Sequence, residues 1–176
     1  MLVLRKLARS YDSALQTQPL ITKCLSSGVI VGASDACNQA IGPAPYDAPR
    51  TLIVGVGYGA LWFAPVMHGV TSAWARYLPS TAPGPVLFKT AADMAVSFPV
   101  NISACVAIQA VSRDGAAADV AAALETNLWP ALTAGWSVWP FITFAIYGGA
   151  VPLRYRVLAM NACSFAWNAF LLRQFR

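Results

Sequence analysis

Residues 128–172 read LWPALTAGWSVWPFITFAIYGGAVPLRYRVLAMNACSFAWNAFLL, an apolar and aromatic run with proline inside its apolar stretches. Its only charged side chains are Arg154 and Arg156. A helix on the surface of a soluble domain carries a polar face opposite its apolar one, and this run has almost no polar face. The run is therefore typical of a protein that lies in a membrane.

The composition of the whole chain favours the same interpretation. Hydrophobic residues make up 57% of the 176 residues and charged residues 11%, with a mean hydropathy of +0.55. An ordinary soluble domain has about a quarter of charged residues, and this length fits one domain. The net charge of +5 comes from basic residues near segment ends, which suits anionic lipid headgroups better than nucleic acid. We therefore expect membrane lipids as partners and no nucleic acid.

The pattern of apolar segments and breaks predicts an all-α integral membrane helical bundle. It would hold about four transmembrane helices, an amphipathic N-terminal helix and a C-terminal helix. The predicted parts of this single membrane domain, residues 1–176, are the basic amphipathic helix at 1–18, the four spans within 19–147 and the C-terminal helix at 152–175. The four spans are residues 19–41, 50–78, 86–112 and 128–147, with a short interfacial helix at 116–126.

The distribution of charge predicts which segments share a side of the membrane. Basic residues cluster at the N-terminus, around the second connection and in the C-terminal part, whereas the first and third connections are mostly acidic. Four spans place all the basic segments on one side, as the positive-inside tendency favours. A C-terminal helix that crossed the membrane would move Arg173 and Arg176 to the acidic side. We therefore expect this helix to pack against the bundle.

Two glycine pairs predict how the first two spans pack. Gly28 and Gly32 form a GxxxG face, and Gly55 and Gly59 repeat the spacing. Lipid tails give little hydrophobic drive between helices, so small residues that let backbones approach decide the contacts. We expect these faces to meet each other or another helix of the bundle. Asp35 follows Gly28 by nearly two helical turns and should share its buried face.

Ionisable side chains inside the spans are the candidates for function, because a charge at the bilayer centre costs about 3 kcal/mol or more. Asp35 either lines or gates a pore, or is a carboxylate satisfied by a neighbouring helix. Lys89 and Asp93 are spaced for an i,i+4 pair, which would be structural or part of an ion path. The single histidine, His68, is expected to be a packed or interfacial residue. Pro65 should kink the second span.

The two arginines at the start of the C-terminal helix are candidates for lipid binding. Arg154 and Arg156 would hold an anionic headgroup such as that of cardiolipin, or simply flank a membrane helix. No other cofactor is expected. The cysteines form no CxxC pair or Cys/His cluster, which argues against zinc. The sequence has no Ser/His/Asp or Cys/His arrangement and no phosphate loop, so we expect no enzymatic activity.

Several motifs occur in a characteristic order along nearly the whole chain. Trp139 and Pro140 head a late apolar helix, Val151 and Pro152 follow, and Arg156 stands four residues beyond that proline. The other motif positions are Tyr11, Leu15, Pro19, Thr22, Gly28, Gly32, Asp35, Gln39, Asp47, Arg50, Gly59, Pro65, His68, Lys89, Asp93, Pro99, Trp167, Asn168 and Leu171. In this order they resemble the motifs of the Mpv-seventeen family, typified by the twenty-two-kilodalton peroxisomal membrane protein.

The resemblance implies a membrane bundle and, as an activity proposed for the family, a weakly selective channel for ions or small metabolites. The membrane would be the mitochondrial inner or the peroxisomal membrane. The chain departs from the family at Met94, Thr143 and Ile146, where Gln, Gln and Asn are usual. That loss favours a non-catalytic accessory subunit docked to other subunits of a mitochondrial inner-membrane complex. The basic amphipathic start is typical of a mitochondrial targeting helix.

Overall fold

The computed structural model describes residues 2–113 and 117–174, and every regular element within these ranges is a helix. The all-α class predicted from the sequence is therefore confirmed. The helices are α1 (Leu2–Thr17), α2 (Pro19–Ile41), α3 (Ala48–Tyr77), α4 (Pro83–Val111), α5 (Ala117–Trp136), α6 (Trp139–Ala145) and α7 (Arg156–Gln174). Helices α2, α3 and α4 are long and apolar enough to cross a membrane. Residue 175 of the predicted C-terminal helix, and Arg176, lie outside the described ranges.

Helices α2 and α3 form an antiparallel pair whose glycine faces lie against each other. A Cβ atom added at Gly55 would stand 2.9 Å from the carbonyl oxygen of Gly28, and one at Gly59 would stand 2.8 Å from that of Ser27. These distances leave no room for any side chain at either position. Gly32 lies opposite Gly55 with more space, since its added Cβ would be 3.7 Å from the Gly55 Cα atom. Backbone approach without side chains thus fixes the relative depth of the two helices.

Two internal prolines are accommodated by wide turns of the helix just before them. The π-helical segment Ile53–Phe63 precedes Pro65 in α3, and Asp93–Ser97 precedes Pro99 in α4. Proline cannot donate a backbone hydrogen bond, and its ring clashes with the carbonyl one turn earlier. A turn with an extra residue moves that carbonyl away and keeps the helix continuous. The interruption predicted at Pro65 therefore takes the form of widened turns.

The fourth apolar segment is a broken helix whose boundaries differ from those predicted. Instead of a separate interfacial helix and a span starting at residue 128, α5 begins at Ala117 and continues through Pro130 to Trp136. The break falls at residues 137–138, because Pro140 has no amide to donate to the Trp136 carbonyl. The Trp136 indole donates to the carbonyl of Met94 at 3.2 Å, which places the break near the middle of α4.

The chain turns sharply after α6. The π-helical segment Ile146–Ala150 ends in Gly149, whose φ of 99° lies in the left-handed region that favours glycine. An extended Val151 and a short 3₁₀ turn, Leu153–Tyr155, lead into α7. The turn therefore follows directly on residue 147, where the predicted fourth span ends.

Helix α7 starts beside α1 and packs along α2. Asn161 of α7 donates to the Ser27 hydroxyl of α2, and Tyr155, just before α7, donates to Asp12 of α1 at 2.6 Å. Since the start of α7 meets α1 and a later residue of α7 meets α2, α7 runs in the same direction as α2. We call the end formed by the start of α2 and residues 78–82 and 149–155 the N-terminal end. The end formed by residues 42–47 is the opposite end.

Candidate functional site: a polar-lined cavity

A cavity of about 280 Å³ lies between the helices. Most of its wall is apolar, with Met67, Phe98 and Trp139 among the lining side chains. Polar side chains come from several helices and are spaced along it, chiefly Asp35 (α2), Arg50 (α3), Asp93 and Asn101 (α4), Thr143 (α6) and Asn161 (α7). Pockets with a mainly apolar wall and a few convergent polar groups are the usual form of binding sites and pathways.

Asp35 stands at the opposite end of the cavity in a saturated cluster of partners. Asp35 is 5% exposed, and its Oδ1 atom lies 3.1 Å from Nη2 of Arg50. Its Oδ2 atom accepts hydrogen bonds from Gln39 Nε2 at 2.6 Å and from Thr51 Oγ1 at 2.7 Å. The carboxylate is therefore satisfied by a neighbouring helix and also lines the cavity.

Gln39 ties this cluster to the connection at the opposite end. Its Oε1 atom accepts from the Asp47 amide at 2.6 Å, and its Nε2 atom donates to the Asp47 carbonyl at 3.1 Å. The Asp47 side chain accepts from the amide of Arg50 at 3.0 Å and caps the start of α3. The carboxylate, its arginine and the connection are thus held as one unit.

Asp93 stands toward the N-terminal end and accepts only uncharged donors. The Trp74 indole donates to Oδ1 at 2.9 Å, the Ser97 hydroxyl lies 3.3 Å from the same oxygen, and the Tyr147 hydroxyl donates to Oδ2. Tyr147 is fully buried. These donors come from α3, α4 and the segment after α6, so three parts of the chain converge on one carboxylate.

The predicted pair between Lys89 and Asp93 is not formed. Lys89 is 2% exposed, and its ammonium donates to the carbonyls of Ser80 at 2.8 Å and Leu78 at 3.3 Å. A lysine near a helix end extends its stem along apolar surface toward the membrane boundary, which carries the charge away from Asp93. Spacing along one helix did not decide the pairing here, because groups from other elements bind both side chains better.

The two arginines proposed for lipid binding have different surroundings. Arg154 is exposed and pairs with Asp12, with 2.9 Å between its Nε atom and Oδ1. Arg156 is 9% exposed, donates from Nε to the Val151 carbonyl at 3.4 Å, and lies 5.4 Å from the ring centre of Tyr147. The Lys89 ammonium lies 5.6 Å from the same ring centre. Arg156 is therefore part of the buried N-terminal end and not a surface flank.

Two asparagines near the middle of the bundle were not among the candidate site residues predicted from the sequence. Asn101 donates from Nδ2 to the Ser97 carbonyl at 2.7 Å and to the Met67 sulfur at 3.4 Å, while its Oδ1 atom is buried without a partner. Asn161 is 1% exposed and bonds to Ser27. The sequence feature that could have identified them is an amide side chain within an apolar helix, because such a side chain must bind a polar neighbour or water.

A second buried polar contact joins α2 to α3 near the N-terminal end. Lys23 is 3% exposed, and its ammonium lies 2.8 Å from Nδ1 of His68. His68 is thus a packed residue, although its partner was not identified from the sequence. Among the residues that the structure describes, no group of three or more His, Cys, Asp or Glu side chains is placed to hold a metal ion.

The three positions where the resemblance implies Gln or Asn also lie at this site. Met94 and Thr143 line the cavity, and Ile146 is part of the apolar core that surrounds Tyr147. Of the side chains singled out in the sequence, Asp35 and Asp93 line the same cavity. Lys89 and Arg156 lie just beyond its N-terminal end, beside Tyr147.

Comparisons with known proteins place the chain among its relatives. The profile of the Mpv17 / PMP22 family matches residues 110–172. The chain is 30% identical to Protein sym-1 of Neurospora crassa over 171 residues, which cover 92% of this chain and 94% of that protein. It is 31% identical to Protein SYM1 of Yarrowia lipolytica, covering 93% of this chain and 78% of that one, and 27% identical to Protein SYM1 of Saccharomyces cerevisiae, covering 94% and 88%. No solved structure gives a significant match. With this similarity extending over nearly its whole length, the chain belongs to the Mpv17 / PMP22 family of membrane proteins.

Proposed function

We propose that this protein is a non-catalytic channel of low selectivity for ions or small metabolites. The observation that carries the proposal is the cavity within the bundle, which is lined by Asp35 and Asp93 at different depths. Carboxylates inside a membrane domain are costly and are found where they face a bundle interior, a partner or water. Their alignment along one cavity is what a pathway for polar solutes requires.

Two buried polar atoms support a hydrated cavity. The Oδ1 atom of Asn101 and the Nε atom of Arg50 belong to lining residues and have no hydrogen-bond partner among the described residues. A buried polar group without a partner costs about 1–3 kcal/mol. Water or a polar solute in the cavity would remove that cost. The lining thus suits polar occupants even though most of its surface is apolar.

The two ends of the cavity suit closure by side chains. At one end the Tyr147 hydroxyl is bound to Asp93, and at the other Arg50 is bound to Asp35. Conduction would require the bonds at each end to open. This arrangement favours a gated pathway over a permanently open pore.

Reconstitution into planar bilayers tests the proposal. The wild-type protein should conduct, and Asp35→Asn and Asp93→Asn should each change conductance or ion preference several-fold. Asp119→Asn is the matched control, because Asp119 is an exposed carboxylate in the first turn of α5. Bilayers that stay silent over a range of voltages and redox conditions, with folded protein present, would contradict the channel.

A second candidate function is that of an accessory subunit in a larger mitochondrial inner-membrane complex. One observation favours it: the break at residues 137–138 lies near mid-depth and is exposed, with Trp136 37% accessible. Irregular backbone at membrane depth is tolerated where protein or a water-filled cavity covers it, but not against lipid. A helix of another subunit would cover this break.

Site-specific photocrosslinking tests the accessory role. A photoreactive residue in place of Ser137 should capture a second membrane protein in native membranes. The same residue in place of Leu61, an apolar side chain that is 72% exposed on α3, should capture little. Equal labelling at both positions, together with a lone bundle in mild detergent, would count against a subunit role.

Location in the mitochondrial inner membrane is part of the same proposal, with the peroxisomal membrane as the alternative. Helix α1 carries Arg5, Lys6 and Arg9 as exposed residues, and its first turn holds no acidic residue. Such a helix suits mitochondrial targeting. A reporter fused to residues 1–18 should reach mitochondria, and replacement of the three basic residues by glutamate should abolish this. Delivery of the reporter to peroxisomes would reverse the assignment.

A further inference from the structure

Two buried cations beside Tyr147, at the N-terminal end, have no counter-ion among the described residues. Lys89 is 2% exposed and Arg156 is 9% exposed. The ion pairs found among the described residues join Arg50 to Asp35 and Arg154 to Asp12, so neither of these cations takes part in one. Asp93 is the buried carboxylate toward this end, and its hydrogen bonds come from uncharged groups. This end of the bundle therefore holds more buried positive than negative charge.

The protein compensates these charges only in part. Both cations lie over the ring of Tyr147, at 5.6 Å for Lys89 and 5.4 Å for Arg156, which provides a modest cation–π attraction. Lys89 also binds two backbone carbonyls, whereas Arg156 uses only its Nε atom, on the Val151 carbonyl. The two terminal nitrogens of Arg156 have no acceptor in the part of the chain that is described.

The free part of Arg156 is the part that recognises anions. The terminal nitrogens of a guanidinium form a planar fork that matches two oxygens of a carboxylate or phosphate. Arg156 is also the first residue of α7, a long helix whose N-terminus favours negative charge. Arg156 is a largely buried residue whose fork has no acceptor among the described residues, and this arrangement suits an anion.

We propose that Arg156 and Lys89 form a binding site for an anionic group, a phosphate or a carboxylate, at the N-terminal end of the cavity. The connections at residues 78–82 and 149–152 border the site, so a ligand would enter from the aqueous boundary at that end. The bound group would be part of a soluble metabolite or of a phospholipid headgroup, since both offer the same oxygens. The site stands whether or not the cavity conducts.

Arg154 provides a matched control within the same turn of the chain. It carries the same guanidinium two residues earlier, but it is exposed and already paired with Asp12. An anion held by unsatisfied buried charge should depend on Arg156 and not on Arg154. General attraction of anions by a basic surface would depend on both.

The experiment measures thermal unfolding of the full-length protein in nanodiscs at constant ionic strength. In phosphatidylcholine discs, pyrophosphate should raise the Tm of the wild type and of Arg154→Gln by a few degrees, and should leave Arg156→Gln unchanged. Cardiolipin added to the discs without pyrophosphate forms the second arm. A response to pyrophosphate indicates a soluble ligand, and a response to cardiolipin alone indicates a headgroup, with the same dependence on Arg156 required in each case.

Two further measurements keep the proposal falsifiable if Arg156→Gln folds poorly. Arg156→Lys keeps the charge but loses the fork, and should retain a weaker response. Broadening of the phosphorus NMR signal of pyrophosphate by the wild-type protein reports binding without any variant. Absence of a wild-type response to both pyrophosphate and cardiolipin, or an equal response in Arg154→Gln and Arg156→Gln, would overturn the site.

Discussion

The two carboxylates of the cavity are stabilised in different ways. Asp35 forms an ion pair with Arg50 and accepts two further hydrogen bonds, so its charge is neutralised where it lies. Asp93 has no counter-ion among the described residues, and each of its donors is uncharged. Those donors are Trp74, Ser97 and Tyr147. An ion pair therefore balances the charge at the opposite end of the cavity, whereas the N-terminal end has separate charges of both signs.

The difference shows how burial and charge are balanced inside one bundle. At the opposite end the ion pair is connected through Gln39 to the backbone of Asp47, so hydrogen bonds hold the whole cluster together. At the N-terminal end Tyr147 separates Asp93 from the cations Lys89 and Arg156. Separated charges can be rearranged by a ligand or by motion of one ring, whereas a saturated cluster resists change.

We expect the largest effect from replacing Arg50, the cation of the ion pair at the opposite end. Arg50→Met should leave Asp35 as a buried charge without its counter-ion and lower the free energy of unfolding by about 3–5 kcal/mol. Unfolding by detergent titration in micelles measures this quantity. Arg113→Met is the control, since Arg113 is an exposed arginine beyond the end of α4. Equal effects of the two substitutions would show that the ion pair contributes no stability.

A smaller loss is expected at the other carboxylate. Tyr147→Phe keeps the buried ring and removes one of the donors to Asp93. Because a hydrogen bond to a charged group contributes about 1.5–3 kcal/mol, the free energy of unfolding should fall by that amount. Tyr77→Phe, at a ring that is 76% exposed, should change it little. If Tyr147→Phe were as stable as the wild type, Asp93 would not depend on this hydroxyl.

Removing one neutral donor from the saturated cluster should matter less. Thr51→Val preserves the shape of the side chain and deletes the hydroxyl that donates to Asp35. Arg50 and Gln39 remain on the carboxylate, so we expect a loss of about 1 kcal/mol. Thr133→Val is the control, because that hydroxyl is exposed and bonds only to its own helix. A loss as large as that of Arg50→Met would mean that the cluster fails as a unit.

The sequence predicted the spans better than it predicted their interruptions. Hydropathy and length identify α2, α3 and α4, because a membrane helix must be long and apolar whatever it packs against. Proline positions were less informative. The predicted span begins at residue 128, yet α5 continues through Pro130, whereas the helix breaks just before Pro140. Whether a helix continues through a proline depends on how neighbouring groups satisfy the freed carbonyl, and this is a tertiary property.

The sequence predicted which individual residues belong to the candidate site, but it did not predict which side chains bind each other. Asp35 and Asp93 were identifiable because a carboxylate in an apolar helix must face the interior. Their partners depend on the rotation and depth of neighbouring helices, which short-range spacing does not determine. Lys89 therefore binds a connection instead of Asp93, and the contact between Lys23 and His68 went unrecognised.

A third carboxylate, Asp12, lies outside the cavity and should show the smallest effect. It accepts a hydrogen bond from Tyr155, and that bond raises the pKa of the Tyr155 hydroxyl. Because the pKa of Tyr155 is higher in the folded state, this hydrogen bond stabilises the docked α1. The stabilisation is fully present at pH values below the ordinary tyrosine pKa of about 10. This stabilisation is lost as the pH rises through the raised pKa of Tyr155 in the folded state. Attachment of α1 should therefore weaken only in alkaline solution.

The distance between spin labels on α1 and α7 measures this attachment. The wild type should show a broader distance distribution at alkaline pH than at neutral pH. Tyr155→Phe should already be slightly broader at neutral pH and should lose the part of the alkaline change that belongs to this hydroxyl. Since other tyrosines and lysines titrate in the same range, the difference between the two proteins is the quantity that tests the prediction. Identical pH profiles would show that the contact between Tyr155 and Asp12 does not hold α1 in place.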